Sequence, residues 1–228
     1  MTEWKRFVLW GSAGHAKVLA SLIALRGGRV VALFDNDPQS TPVLVGVPLF
    51  IGEEAFVRWI EGEQNPNELR GLAAIGGARG HDRLAVQERF RAYGLQIEAV
   101  VHPSASVCVT ASLGAGTQVL AQAVVAADAH VGEVCIINHR AAVDHECVLE
   151  DGVHLAPGST LCGCVKLGPN VMIGAGAVVL PRINIGAGTI VGAGAVVTRD
   201  LPAGVIAYGN PARIHRHLDN RLQLEQIA

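Results

Sequence analysis

The chain has 228 residues, enough for two domains or one large one; half are hydrophobic but only 4% aromatic, so the core is built from small aliphatics rather than rings. A net charge of −2 with no basic run argues against nucleic acid as the main partner, and no apolar window reaches the ~18 residues free of charge and glycine that a membrane span needs. Five cysteines without metal-ligand or disulfide spacing point to a reduced, cytoplasmic setting.

The first apolar stretch is too short for a signal peptide and reads as a strand, Phe7-Val8-Leu9-Trp10. It runs straight into Gly11-Ser12-Ala13-Gly14-His15-Ala16-Lys17, after which Val18, Leu19, Leu22, Ile23 and Leu25 mark a helix. A second strand, Val30 to Phe34, ends at Asp35-Asn36-Asp37. A helix around Glu53 to Glu61, a strand at Leu72 to Ile75 ending in Gly76-Gly77, and a helix near Arg83 to Tyr93 follow. Strands alternating with helices predict a small parallel, Rossmann-like α/β domain over residues 1–100.

Ligands of such sheets sit at the carboxyl ends of the strands, so the loops at 11–15, 35–37 and 76–77 are expected to converge on one crevice. Glycine after the first strand lets backbone N–H groups at a helix N-terminus approach a phosphate, and Asp35, twenty-one residues after Gly14, can accept from a sugar hydroxyl. The spacing G-x-x-G-H departs from the dinucleotide fingerprint G-x-G-x-x-G, which favours a nucleotide-linked sugar or another small polar ligand over NAD. The same loop also reads as an ordinary tight strand-to-helix turn. No Ser/Gly-rich linker follows, so the next domain is expected to pack directly on the first, with His102 structural at the junction.

From Val101 to Val197, every sixth residue is Val, Ile or Leu, a run of seventeen. Four residues after each of the first sixteen stands Ala, Thr, Ser, Cys, Val or Ile. One such unit is a short strand plus a corner, and three close a triangular coil of eighteen residues. The pattern predicts a parallel β-helix of hexapeptide repeats over residues 101–212. Known prisms of this kind coil left-handedly.

Most corners are Gly, Ala, Asn or Pro, but Asp144-His145-Glu146 places a polar triplet on an outer corner. It reads either as harmless surface polarity or as a base beside a carboxylate that orients it. Histidines 130, 139, 145 and 154 are spaced by 9, 6 and 9, whereas stacked positions recur every 18, so one subunit cannot gather them around zinc. A zinc lyase with ligands shared across a trimer interface, as in prism-shaped carbonic anhydrases, is the metal alternative; otherwise no metal is expected. Residues 213–228 are expected to form a helical tail, with Leu218 and Leu222 on one face of a short amphipathic helix from Ile214 to Ile227.

Taken together, strand-GSAGHAKV-helix, FDND, AAIGG, VVHPSA, VDHECVLEDGVHLAPGSTLCG and GNPARI resemble the hexapeptide-repeat sugar acyltransferases. These include nucleotide-linked amino-sugar N-acetyltransferases and the sialic acid O-acetyltransferase group. The resemblance implies an acetyl-CoA-dependent N-acetyltransferase of bacterial surface glycan synthesis, with O-acetylation of sialic acid as the alternative. It implies His145 as general base, Glu146 as the neighbour that raises its basicity, and His154, Ala175 and Ala193 at acetyl-CoA. Ala13, Gly14, His15, Asp35, Asn36 and Gly76 would hold the nucleotide-linked sugar. Asn36 stands where the family often has a second acid, so it can donate where a carboxylate only accepts. A pocket deep enough for substrate needs a second copy beside the shallow His145 corner, so a homotrimer is expected.

Overall fold

The computed structural model describes residues 5–218. The first part is a parallel four-stranded sheet formed by β1 (Lys5–Trp10), β2 (Gly28–Asp35), β3 (Leu49–Ile51) and β4 (Leu69–Ala73), in the order β3-β2-β1-β4. Between them lie α1 (Gly14–Leu25) and α2 (Glu53–Glu61), and α3 (Gly80–Ala92) follows β4. The short β3 has no counterpart in the sequence reading, and β4 begins three residues earlier than expected. β1 is central, and its alternate side chains serve two cores. Val8 and Trp10 join Phe34, Phe56 and Phe90 under α2 and α3, where the chain's few aromatic rings gather. Phe7 and Leu9 join Leu19, Leu22 and Ile23 of α1 on the other side, together with Val100, Leu120 and Ile136. The second core is therefore shared with the next part of the chain.

That part is a left-handed parallel β-helix. Two-residue strands pair in parallel with the strand eighteen residues on, as in Ile136↔His154 and Ala142↔Thr160. Three sheets make the faces of a prism. The docking face carries Val100–Val101, Gln118–Val119, Ile136–Ile137, His154–Leu155 and later rungs, and it receives α1 through Val100, Leu120 and Ile136. The second face carries Ala142–Val143 and its stack; the third carries Val148–Leu149 and its stack. From Val119 to Val197 every aliphatic of the six-residue period is buried in one core. Each contributes about 2 kcal/mol by leaving water, so stability accumulates coil by coil.

The corners have their own period. Backbone φ is positive at every sixth residue from 116 to 194, in eight non-glycine residues (Gln122, Asp128, Val134, Arg140, Glu146, Cys164, Asn170 and Arg182) and in glycines at the other positions. Stacked corners bond to one another, as in Gly176 N–H to Pro157 O and Gly194 N–H to Ala175 O, which holds these left-handed conformations in place coil after coil.

The tail departs from expectation. Arg213–His217 is a strand, antiparallel to Val205–Tyr208 at the end of the docking face. The outer edge of Val205–Tyr208 offers unpaired N–H and C=O groups, and returning the chain along it satisfies them better than starting a helix would. Residues 219–228, which include Leu222 and the rest of the expected helix, lie outside the described residues. Among the described residues no helix is long and apolar enough to cross a membrane.

Candidate active site

The three loops at the strand ends do converge. A crevice of about 350 Å³ is lined by Trp10, Gly11, Ser12, Ala13, His15, Asp35, Asn36, Ala74, Ile75, Gly76 and Arg79. Its floor is set by backbone geometry. Gly11 has φ +113°, and a Cβ there would lie 2.6 Å from Ala74 O, so this glycine is demanded by the close passage of two strand ends. Gly14 and Gly76 are different, since a Cβ on either meets nothing within 4 Å. The space beside them is open to a ligand.

Asp35 is fixed before any ligand arrives. Oδ2 accepts from Ser12 N–H (2.7 Å) and Oδ1 from Asp37 N–H (3.0 Å), leaving further lone pairs for a hydroxyl. Asn36 is exposed at the rim. Helix α1 starts at Gly14 with no side-chain cap; Ala16 N–H closes back on Ala13 O at 3.1 Å, and no side chain caps the N–H groups of Gly14 and His15.

His15 is tied to the prism. Its Nε2 lies 2.6 Å from Oε1 of the fully buried Gln118, whose Nε2 donates to Ala73 O at 2.8 Å. Because the amide nitrogen is committed to Ala73, Oε1 must accept, so His15 carries its proton on Nε2 and keeps Nδ1 as an acceptor. Burial depresses its pKa.

The largest surprise is Arg83 of α3. It is fully buried and among the described residues has no carboxylate partner; it donates from Nε to Val134 O (2.9 Å), from Nη2 to Gly152 O (2.6 Å), and from Nη1 to Ile75 O (3.2 Å) and Gly77 O (3.3 Å). Burial pushes its pKa down to about 10, so it stays a cation at neutral pH. One side chain thus fastens the crevice loop to two coils.

His154 meets the same loop from the prism. Gly77 N–H donates to its Nδ1 at 2.9 Å, and the Asn138 side-chain amide lies 3.3 Å from Nε2. Burial, with Arg83 nearby, pushes the His154 pKa down to about 4, so the ring is neutral. Beside it runs a column of corners stacked every 18 residues, His139, Pro157, Ala175 and Ala193, in which the carbonyls of His139, Pro157 and Ala175 accept from the N–H groups of Gly158, Gly176 and Gly194. Ala175 and Ala193 are exposed.

His145 and Glu146 sit elsewhere, on the corner between the second and third faces, one prism edge away from that column. His145 Nδ1 lies 3.2 Å from Glu146 Oε2, and both side chains are more than half exposed. Asp144 Oδ1 accepts from His145 N–H at 2.8 Å, fixing the corner. The imidazole lies against Gly163, where a Cβ would come within 2.6 Å of Cε1. Within one chain the structure brings together the crevice residues and His154, and it leaves His145 and Glu146 apart from them. Cys147 is buried and donates to Cys162 O at 3.2 Å, and burial pushes its thiol up to about 11.

Sequence reasoning missed Arg83, Gln118 and Gly163. Arg83 reads as one more charge on a surface helix, and Gln118 as an outward residue of a two-residue strand. Gly163 was findable, since it lies eighteen residues after His145 and so directly above it.

Residues 164–199 match the Bacterial transferase hexapeptide (six repeats) family. A GDP-perosamine N-acetyltransferase of Escherichia coli O157:H7 is 35% identical over 136 residues, 58% of this chain and 62% of that enzyme, which is under two thirds of its length. A perosamine N-acetyltransferase from Caulobacter crescentus, solved with CoA and GDP-perosamine as a histidine-to-asparagine variant, is 37% identical with a TM-score of 0.83, covering 95% of this chain and 98% of that one. The acetyltransferase domain of PglB from Neisseria gonorrhoeae FA1090, solved with acetyl coenzyme A, is 30% identical with a TM-score of 0.82, covering 93% and 100%. With a left-handed hexapeptide prism, a crevice at the strand ends of a parallel sheet, and relatives of this identity over nearly their whole length, the chain belongs to the hexapeptide-repeat sugar acyltransferases.

Proposed function

We propose that this protein is an acetyl-CoA-dependent N-acetyltransferase acting on the amine of a nucleotide-linked amino-deoxy sugar, in the cytoplasm, in the synthesis of bacterial surface glycans. The observation that carries this reading is the His145–Glu146 pair on an exposed corner, with Cys147 buried and committed to a carbonyl and Cys164 donating its thiol proton to Glu146 Oε2 at 3.4 Å. An accessible base beside thiols that are buried or held protonated by Glu146 suits direct attack of an amine on a thioester.

In this reaction Glu146 orients the imidazole through Nδ1, which leaves Nε2 to take a proton from the attacking amine. The amine nitrogen bonds to the thioester carbon, and the tetrahedral oxyanion collapses with loss of the CoA thiolate. The proton held by His145 passes to solvent or to that thiolate. CoA is a good leaving group, so positioning and one base suffice.

The crevice takes the nucleotide-linked sugar: Ala13, Gly14 and His15 at its phosphates, Asp35 and Asn36 at its hydroxyls, Gly76 alongside. The pantetheine arm runs along the column of Ala175 and Ala193 toward His154, which stands beside the crevice loop. In one chain His145 lies an edge away from both. A second copy is therefore needed to bring its base to the acceptor, and the assembly is a homotrimer with three sites between subunits.

The experiment is thiol release from acetyl-CoA with a panel of nucleotide-linked amino-sugars, free sialic acids and a no-acceptor control. Release with an amino-sugar, lost in His145→Ala, supports the reading; release only with sialic acids overturns it. Mixing inactive His145→Ala chains with Asp35→Ala chains, at an acceptor concentration too low for the weakened Asp35→Ala crevice, tests the shared site. Partial recovery of turnover after subunit exchange is expected, and its absence would place base and crevice in one chain.

A further inference from the structure

The eighteen-residue pitch stacks Cys164 directly on Glu146, both at positive-φ corner positions. Three donors of different chemistry then meet on one exposed corner. His145 Nδ1 lies 3.2 Å from Glu146 Oε2, Cys164 Sγ lies 3.4 Å from the same oxygen, and imidazole, carboxylate and thiol donors all fall within 4.8 Å of one another. A tetrahedral zinc ion, bound at about 2.0–2.1 Å to N and O and about 2.3 Å to S, holds N and O about 3.3 Å apart and S and O about 3.6 Å apart. Two of the three spacings are already those of a zinc site. The search among histidines alone could not find it, because its sulfur comes from the next coil.

We infer that His145, Glu146 and Cys164 form an inhibitory site for a thiophilic divalent cation of the zinc type. The inference rests on His145 being the base. The two roles compete for one ring. As a base, His145 keeps a proton on Nδ1, shared with Glu146, and a lone pair on Nε2. As a ligand through Nδ1 it must carry the proton on Nε2, where it can accept no other. Binding therefore moves the Nδ1 proton to Nε2 by way of solvent and releases the Cys164 thiol proton, while Glu146 turns from partner of the ring to ligand of the ion. The fourth position stays open to water.

Cobalt(II) is the spectroscopic probe, added to the full-length protein, to Cys164→Ser and to Cys162→Ser. A thiolate-to-cobalt charge-transfer band in the wild type and Cys162→Ser, absent from Cys164→Ser, is the expected result. In turnover assays zinc should inhibit the wild type reversibly, with recovery on adding EDTA. Cys164→Ser should keep its zinc-free turnover and lose at least ~10-fold in zinc sensitivity. A band that persists in Cys164→Ser, or equal inhibition of both proteins, overturns the site. The cobalt band needs no acceptor sugar, so a wrong acceptor assignment and a wrong cation site give different results.

Discussion

Arg83 and His154 hold Gly77 between them: the arginine Nη1 donates to its carbonyl at 3.3 Å, and its N–H donates to the histidine Nδ1 at 2.9 Å. One residue comes from a helix of the first sheet and the other from the prism, so the crevice loop is clamped where the two parts meet.

Arg83→Met keeps much of the volume and removes every donor. The carbonyls of Val134 and Gly152 are left buried without their partner, and such losses typically cost about 3 kcal/mol. Urea unfolding should show a lower midpoint, and the acceptor KM should rise because the Ile75–Gly77 loop loses its anchor. An unchanged midpoint would mean the clamp carries no stability.

Gly163→Ala is a test of the seat of the proposed base, His145. The glycine has no positive φ, so the backbone accepts alanine, yet the methyl would strike the His145 ring. A shift of about 1 Å in a catalytic group can cost ~100-fold in rate. We expect kcat to fall by that order with the thermal midpoint nearly unchanged; full activity would show that the ring does not need its place over Gly163.

Asp35→Ala removes the acceptor of Ser12 and Asp37 N–H groups and the hydroxyl partner proposed for the sugar in the crevice. The expected outcome is an acceptor KM raised about tenfold or more, by the loss of one charge-assisted hydrogen bond, with the KM for acetyl-CoA unaffected. Equal effects on both substrates would remove Asp35 from the sugar site.

Stability should fall in mild acid. His154 has a folded pKa of about 4 against an ordinary 6.5, so the unfolded chain takes up its proton first as pH drops. The contribution is fully present above 6.5 and is lost as pH falls through about 4, amounting to about 3 kcal/mol at ~1.4 kcal/mol per pH unit. His15, shifted in the same direction, adds to the slope. Denaturation midpoints measured across this window should decline, and less steeply in His154→Gln.

The prism was legible because one geometric rule repeats: an inward aliphatic every six residues, from Val101 to Val197, has no other explanation. The crevice was legible because ligands of a parallel sheet gather at its strand ends, which fixed loops 11–15, 35–37 and 76–77 as neighbours. What stayed hidden depends on how the two parts dock. Nothing in the alternation of α3 marks Arg83 as buried, since two of its four carbonyl partners lie 51 and 69 residues further along the chain. The tail misled because Leu218 and Leu222 have helical spacing, while the free edge of Val205–Tyr208 is a tertiary fact.

The positive-φ corners at every sixth residue make the prism a screw thread, and its length is quantised. One inserted residue within 116–194 would throw every later aliphatic out of the core. Six would restore the core but turn everything beyond by about 120°, carrying the Ala175 and Ala193 column to another edge. Only eighteen, one full coil, would return each corner to its own edge, so whole turns are the unit in which this chain can grow or shrink without rebuilding its site.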